Sequence, residues 1–187
     1  MTAPESDAVL ARRVRAGDRD AFGALIERYR RRAYVQALAI VRSREDALDL
    51  AQEAFVRAYR ARHTLDPDRP FYAWLYQILR RLCFNFLRDA TARARLMDAQ
   101  GHDWLRAAAQ AAPADPAVAV ERADERRRVA AAIGRLPAHE REVLVLKEFE
   151  ELKYREIAEL VGVPIGTVMS RLYSARRRLA DALENDR

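Results

Sequence analysis

The 187-residue chain has one cysteine, Cys83, so no disulfide can form within it. Its three histidines, His63, His102 and His139, are scattered. None stands with the cysteine, or with another histidine, at the short spacings that gather metal ligands. No metal, cofactor or catalytic residue is therefore expected: there is no phosphate-cradling glycine loop and no motif pairing a nucleophile with a base. No apolar run of 18 or more residues occurs, which excludes a sequence-evident membrane span. The opening MTAPESDAVLARR is acidic early and has no apolar stretch of a secretory signal, which gives a cytoplasmic protein as the expectation. Glycine is scarce, at six residues, and β-branched runs are few. The apolar VLVL at 143–146 sits inside a helical pattern, so an all-α fold is expected.

Hydrophobic residues, many of them alanine, make up 50% of the chain, and charged residues 33%. Lys and Arg number 34 against 28 Asp and Glu, a net charge of +6 in which arginine dominates. Two readings fit that balance: a polyanionic partner, or a solvated arginine-rich surface. Composition divides the chain into two small helical domains joined by a flexible linker. The first spans 7–95 and the second 120–185. The linker, 96–119, is alanine-rich, holds Pro113 and Pro116, and has room for a short helix around Trp104.

Four helices are legible in the first block. One spans about Asp7–Ala16 and stops at Gly17; the next runs about Arg19–Ile40. A third follows Ser43, which with Asp46 gives a capping-box pattern. Its apolar face is Ala47, Leu50, Ala51, Ala54, Phe55, Ala58 and Tyr59, and the opposite face presents Asp49, Gln52, Glu53 and Val56. The fourth begins near Pro70, reaches about Arg88, and reads FYAWLYQILRRLCFNFLR. Phe71, Trp74, Leu75, Ile78, Leu82 and Phe86 form its expected buried stripe. Beside that stripe run two rows at four-residue spacing: Tyr72, Tyr76, Arg80, Phe84 and Arg88, then Gln77, Arg81 and Asn85. Aromatics interleaved with arginines can stack unpaired bases while the cations hold a backbone, or they can be core.

The second block opens with a helix to about Gly134, followed by one from Pro137 to about Glu148 and a helix-turn-helix. In YREIAELVGVPIGTVMSRLYSARRRLADAL, Tyr154, Ile157, Ala158 and Val161 share one face. Gly162-Val163-Pro164 then breaks the helix. The next helix buries Val168, Leu172, Ala175 and Leu179 and turns Thr167, Ser170, Arg171, Ser174 and Arg178 outward, with no acid until Asp181. Hydroxyls and guanidiniums on a slim helix suit the DNA major groove. Gly166 leaves room for close approach, and Arg176–Arg178 suit phosphates.

The segments VRAGDRDAFGALIERY, DALDLAQEAFVRAYR, FYAWLYQILRRLCFNFLR and LPAHEREVLVLKEFEELKYREIAELVGVPIGTVMSRLYSARRRL, in that order, resemble the sigma-70 family. Specifically they resemble its extracytoplasmic-function (ECF) group, which keeps only regions 2 and 4. The resemblance implies a non-enzymatic sigma factor. Its region 2 helical bundle would bind core RNA polymerase (β′ and β subunits) through Asp49, Gln52, Glu53 and Val56. The same bundle would read the promoter −10 element through Tyr72, Trp74, Tyr76, Gln77, Arg80, Arg81, Phe84, Asn85 and Arg88. Its region 4 helix-turn-helix would read the −35 element through Gly166, Thr167, Ser170, Arg171, Ser174, Arg176 and Arg178. Core polymerase, promoter DNA and an anti-sigma factor are the implied partners. Arg81 and Asn85 depart from the Asn and Asp frequent in the family, so −10 preference does not carry over. Lys153 stands where many relatives have a capping Ser or Thr. The alternative is a stand-alone helix-turn-helix regulator that needs no polymerase.

Overall fold

The computed structural model describes residues 5–98 and 120–185, with side chains for 5–93 and 128–184. Eight α-helices and one 3-10 turn make up the described residues, with no strand among them. The expected linker core, including Trp104 and His102, lies outside the described residues.

Helix ends follow the caps that the sequence supplies. α1 (Asp7–Arg15) starts at Ser6, whose hydroxyl accepts the Val9 N–H. It stops at Gly17, which takes φ +96°. α2 (Arg19–Val41) is capped by Asp18, whose Oδ1 accepts the N–H groups of Asp20 and Ala21 at 2.9 and 3.1 Å. α3 (Arg44–Arg60) is capped by Ser43 through the Asp46 N–H. The 3-10 turn Arg62–Thr64 leads to α4 (Phe71–Asp98). α4 passes the expected end at Arg88 and takes in the first residues read as linker. Nothing in its sequence from Asp89 to Arg95 stops a helix: the stretch has neither Gly nor Pro.

α5 (Val120–Arg135), α6 (Ala138–Glu148), α7 (Tyr154–Val161) and α8 (Ile165–Asn185) form the second bundle. The cap missing at Lys153 is replaced in part: Glu156 reaches back and accepts the Lys153 N–H at 2.6 Å.

In the first bundle α2, α3 and α4 pack on one another and α1 closes one side. Small side chains line the α2–α3 seam, where Ala33, Ala37, Ala47, Ala51, Ala54 and Ala58 are buried, and let the two backbones approach. Phe22, Phe55, Phe71 and Leu75 are buried in the same core. In the second bundle Leu146, Ile157, Val168, Leu172 and Ala175 converge between α6, α7 and α8.

The two bundles touch. α6 lies against α2 and α7 meets α4, and one apolar cluster runs through both bundles. Arg141 secures the junction from α6: its guanidinium donates to the carbonyls of Ala39 and Ile40 at the end of α2, and to Leu136 and Gly134. Burial, with Arg42 nearby, lowers its pKa to about 10.

Candidate nucleic-acid interface

α8 is held by its inner face and left open on its outer face. Gly162, at φ +73°, donates its N–H to Ala158 O at 2.9 Å and turns the chain. Thr167 and Val168 N–H groups then return to Pro164 O at the start of α8. Val168, Leu172 and Ala175 are buried, as their spacing implies.

Outward stand Gly166, with open space around it, and Ser170, whose hydroxyl donates to Thr167 O at 3.0 Å. Thr167 and Ser174 are half-buried. Arg171 is half-buried as well, with its Nη1 enclosed and unbonded. Two of the arginines are tied to α6: Arg176 Nη2 lies 2.7 Å from Glu148 and Arg178 Nε 3.3 Å from Glu140. Arg177 is exposed.

Sequence reasoning missed an apolar row on the same outer face, Ile165, Met169 and Tyr173, exposed by 46%, 52% and 68%. These residues stand four apart in the sequence. That spacing was the available signal, and the row escaped notice because the outer face was read from its hydroxyl and arginine residues.

α3 turns Asp49 and Gln52 to solvent, and Val56 is 44% exposed. Glu53 is half-buried and accepts from Arg57 Nε at 2.7 Å. Beside this face Phe22, Ile26, Gln52, Phe55, Val56 and Tyr59, together with Arg19 and Arg60, line a largely apolar groove of about 480 Å3.

On α4 the expected buried stripe is corrected. Phe71, Leu75 and Leu82 are buried, but Trp74, Ile78 and Phe86 are only half-buried. Tyr72 and Tyr76, expected on an outer row, are buried together with Leu79 and Cys83. For Tyr76 the reason is the second bundle, whereas Tyr72 is also covered within its own bundle, where Tyr29 of α2 stacks on it at 5.4 Å. Glu142 of α6, fully buried, accepts the Tyr76 hydroxyl at 2.7 Å and Arg80 Nε at 2.7 Å, with Arg80 Nη2 at 3.3 Å from its other oxygen. Gln77 donates to Leu160 O at 2.6 Å. Below them Glu150 accepts from Gln36 at 2.5 Å and from Arg32 at 2.6 Å. The Arg32 guanidinium lies 3.6 Å from the centre of the Tyr72 ring.

Burial raises the pKa of both Tyr72 and Tyr76, with the Glu150 and Glu142 charges adding respectively. Burial also pushes the Cys83 thiol up to about 12, with a further push from Glu142. Arg81 and Arg88 are exposed, and Phe84 and Asn85 are half-buried, with Arg80 over the Phe84 ring at 4.6 Å. Trp74, at the loop end, donates its indole N–H to Thr64 Oγ1 at 3.3 Å.

Among the described residues no group of His, Cys, Asp and Glu could hold a metal ion, and no helix is long and apolar enough to cross a membrane.

The family pattern for sigma-70 region 2 matches residues 25–93, and that for sigma-70 region 4 matches residues 126–179. The RNA polymerase sigma-H factor of Pseudomonas aeruginosa is 35% identical, with 98% of this chain and 97% of that protein covered. The ECF RNA polymerase sigma-E factor of Escherichia coli K12 is 32% identical over the same shares. Among solved structures, CnrH in complex with the cytosolic domain of CnrY superposes with a TM-score of 0.70 at 27% identity, covering 98% of this chain and all of that one. The chain belongs to the ECF group of the sigma-70 family of RNA polymerase sigma factors.

Proposed function

We propose that this sigma factor uses three separate surfaces to bring core RNA polymerase to a promoter. The exposed α3 face, Asp49, Gln52 and Val56 with Glu53 at its edge, receives the polymerase β′ subunit, and the apolar groove beside it extends that contact. A carboxylate–amide face next to an apolar groove suits a basic, amphipathic partner element. The outer face of α8 reads the −35 duplex. Ser170 and Thr167 supply hydroxyls for base edges, and Met169 and Tyr173 supply apolar surface for thymine methyl groups. Arg177 and the α8 N-terminus hold phosphates. α4 with the loop before it reads the −10 element. Trp74, Phe84, Arg81 and Arg88 are accessible for it, and Tyr76, Gln77 and Arg80 become available once region 4 moves aside, while Tyr72 is held also by Tyr29 and Arg32 of its own bundle.

The domain limits that fit this division are 7–95 for region 2 and 120–185 for region 4. The chain acts by binding, with no bond made or broken by its own side chains, and works in the cytoplasm where the polymerase is. An anti-sigma factor covering these surfaces is its natural antagonist.

The observation that carries this reading is an outer face of α8 that meets solvent and holds no acid before Asp181, in a chain that matches ECF sigma factors along almost its whole length. That same length of match leaves the stand-alone regulator without support. Run-off transcription with core polymerase on genomic fragments tests it: defined starts appear only when both proteins are present. Initiation no different from core alone refutes it.

A further inference from the structure

We infer that region 4 is a built-in lock on the −10 reader: Glu142 holds Tyr76 and Arg80, and Glu150 holds Arg32 and Gln36, so the free chain rests closed with α4 covered. The inference rests on the reading of α4 as the −10 helix.

The lock is selective. Asp49, Gln52 and Val56 on α3 stay exposed, and so do Ser170, Met169 and Tyr173 on α8. Only the Tyr76–Arg80 side of α4 is covered. A polymerase can therefore dock on α3, and duplex DNA on α8, before region 4 releases α4.

The chemistry at the lock is that of an anion competing for one cation. Glu142 is fully buried and takes three hydrogen bonds from Tyr76 and Arg80. Charge-assisted bonds from a guanidinium fork serve a carboxylate and a phosphate equally well. A DNA phosphate on Arg80 and the Glu142 carboxylate exclude each other. The outer pair works in the same way: Glu150 bonds both Arg32 and Gln36, and Arg32 in turn covers the Tyr72 ring. The interface also carries Arg141 against Ala39 and Ile40 and shares the apolar cluster, so opening it exposes apolar surface while the helices of each bundle stay packed on one another.

Cys83 gives a built-in reporter. It falls on the same face of α4 as Tyr76 and Arg80, seven and three residues on, and is fully buried. Its thiol also feels the Glu142 charge, which places it beside the lock. It is the only cysteine in the chain.

The test uses the full chain, with Glu150→Gln as the deciding variant because Glu150 is not among the groups acting on the thiol. Glu142→Gln is the second variant. Two quantities are read on each: the rate of Cys83 alkylation by N-ethylmaleimide, and the radius of gyration by small-angle scattering. The account expects alkylation at least threefold faster in Glu150→Gln and tenfold faster in Glu142→Gln, a larger radius in both, and unchanged helical circular dichroism. Promoter opening with limiting chain and saturating core should accelerate in the same order. Wild-type alkylation rate and radius in a folded Glu150→Gln variant overturn the lock. Faster alkylation and a larger radius without faster promoter opening overturn it as an inhibitory device and count against α4 as the −10 reader, while leaving the domain contact in place. If Glu142→Gln fails to fold, Glu150→Gln still decides.

Discussion

α4 and α8 are both amphipathic helices bearing arginines and aromatics, and both are assigned to DNA, yet their outer faces meet opposite fates. α8 keeps its reading face in solvent, with Ser170, Met169 and Tyr173 exposed. α4 loses part of its reading face to the second bundle, so Tyr76 is fully buried and Arg80 is bonded to Glu142. A periodic pattern reports which side of a helix is apolar, but not whether a polar or aromatic row faces water or a neighbouring domain. The same residue types can serve duplex reading directly in one domain and wait behind a contact in the other.

The largest way to sharpen that comparison acts on the shared core. Leu172 is 1% exposed under α8 and belongs to the apolar cluster that also reaches α4. Leu172→Ala should cost about 2–5 kcal/mol in chemical denaturation. If the bundles fold as one body, the whole transition shifts; if they are independent, only a region 4 transition shifts.

Next in size are the readers themselves. Trp74→Ala should weaken −10 engagement by about 1–3 kcal/mol, the worth of one stacked base, read as slower open-complex formation. Tyr173→Ala should lose about 1–3 kcal/mol of discrimination at one −35 position, read by binding to promoters mutated base by base. Equal loss on every −35 sequence would contradict the base-reading role.

A smaller effect tests the phosphate contacts. Arg177→Ala should weaken holoenzyme binding uniformly across promoters and reduce the slope of log affinity against log salt by about 1. Arg176 and Arg178, held by Glu148 and Glu140, should change the slope less, and a larger change from Arg176→Ala than from Arg177→Ala would reverse that ranking.

The smallest effect concerns α3. Arg57→Ala removes a half-exposed ion pair and frees Glu53, so stability should move by less than about 1 kcal/mol, and core affinity should hold or rise slightly in a pull-down.

Much of this fold could be read from residues alone. Gly17 and Ser43 announced helix limits in the first bundle, and Gly162-Val163-Pro164 with Val168, Leu172 and Ala175 announced the helix-turn-helix. These signals are local: caps act within one turn, and periodicity within one helix. The burial of Tyr72 and Tyr76 was not legible, because the groups that meet them come from other helices: Glu142 of α6 on Tyr76, and Tyr29 and Arg32 of α2 on Tyr72. Glu142, in the LPAHEREVLVLKEFEE stretch, gave no sign of a partner 66 residues away. The ties of Arg176 and Arg178 to α6 were hidden for the same reason. Met169 and Tyr173 differ, since their four-residue spacing is visible in the sequence but the outer face was read only from its hydroxyl and arginine residues.

The most direct measurement is footprinting of one mapped promoter duplex by the chain alone and by the chain with core polymerase, with permanganate to detect unpaired thymines. The account predicts at most a −35 footprint from the chain alone. With core it predicts protection at both elements and permanganate reactivity at −10. Unpaired −10 thymines produced by the chain without core, or a holoenzyme that protects −35 and never opens −10, would contradict it.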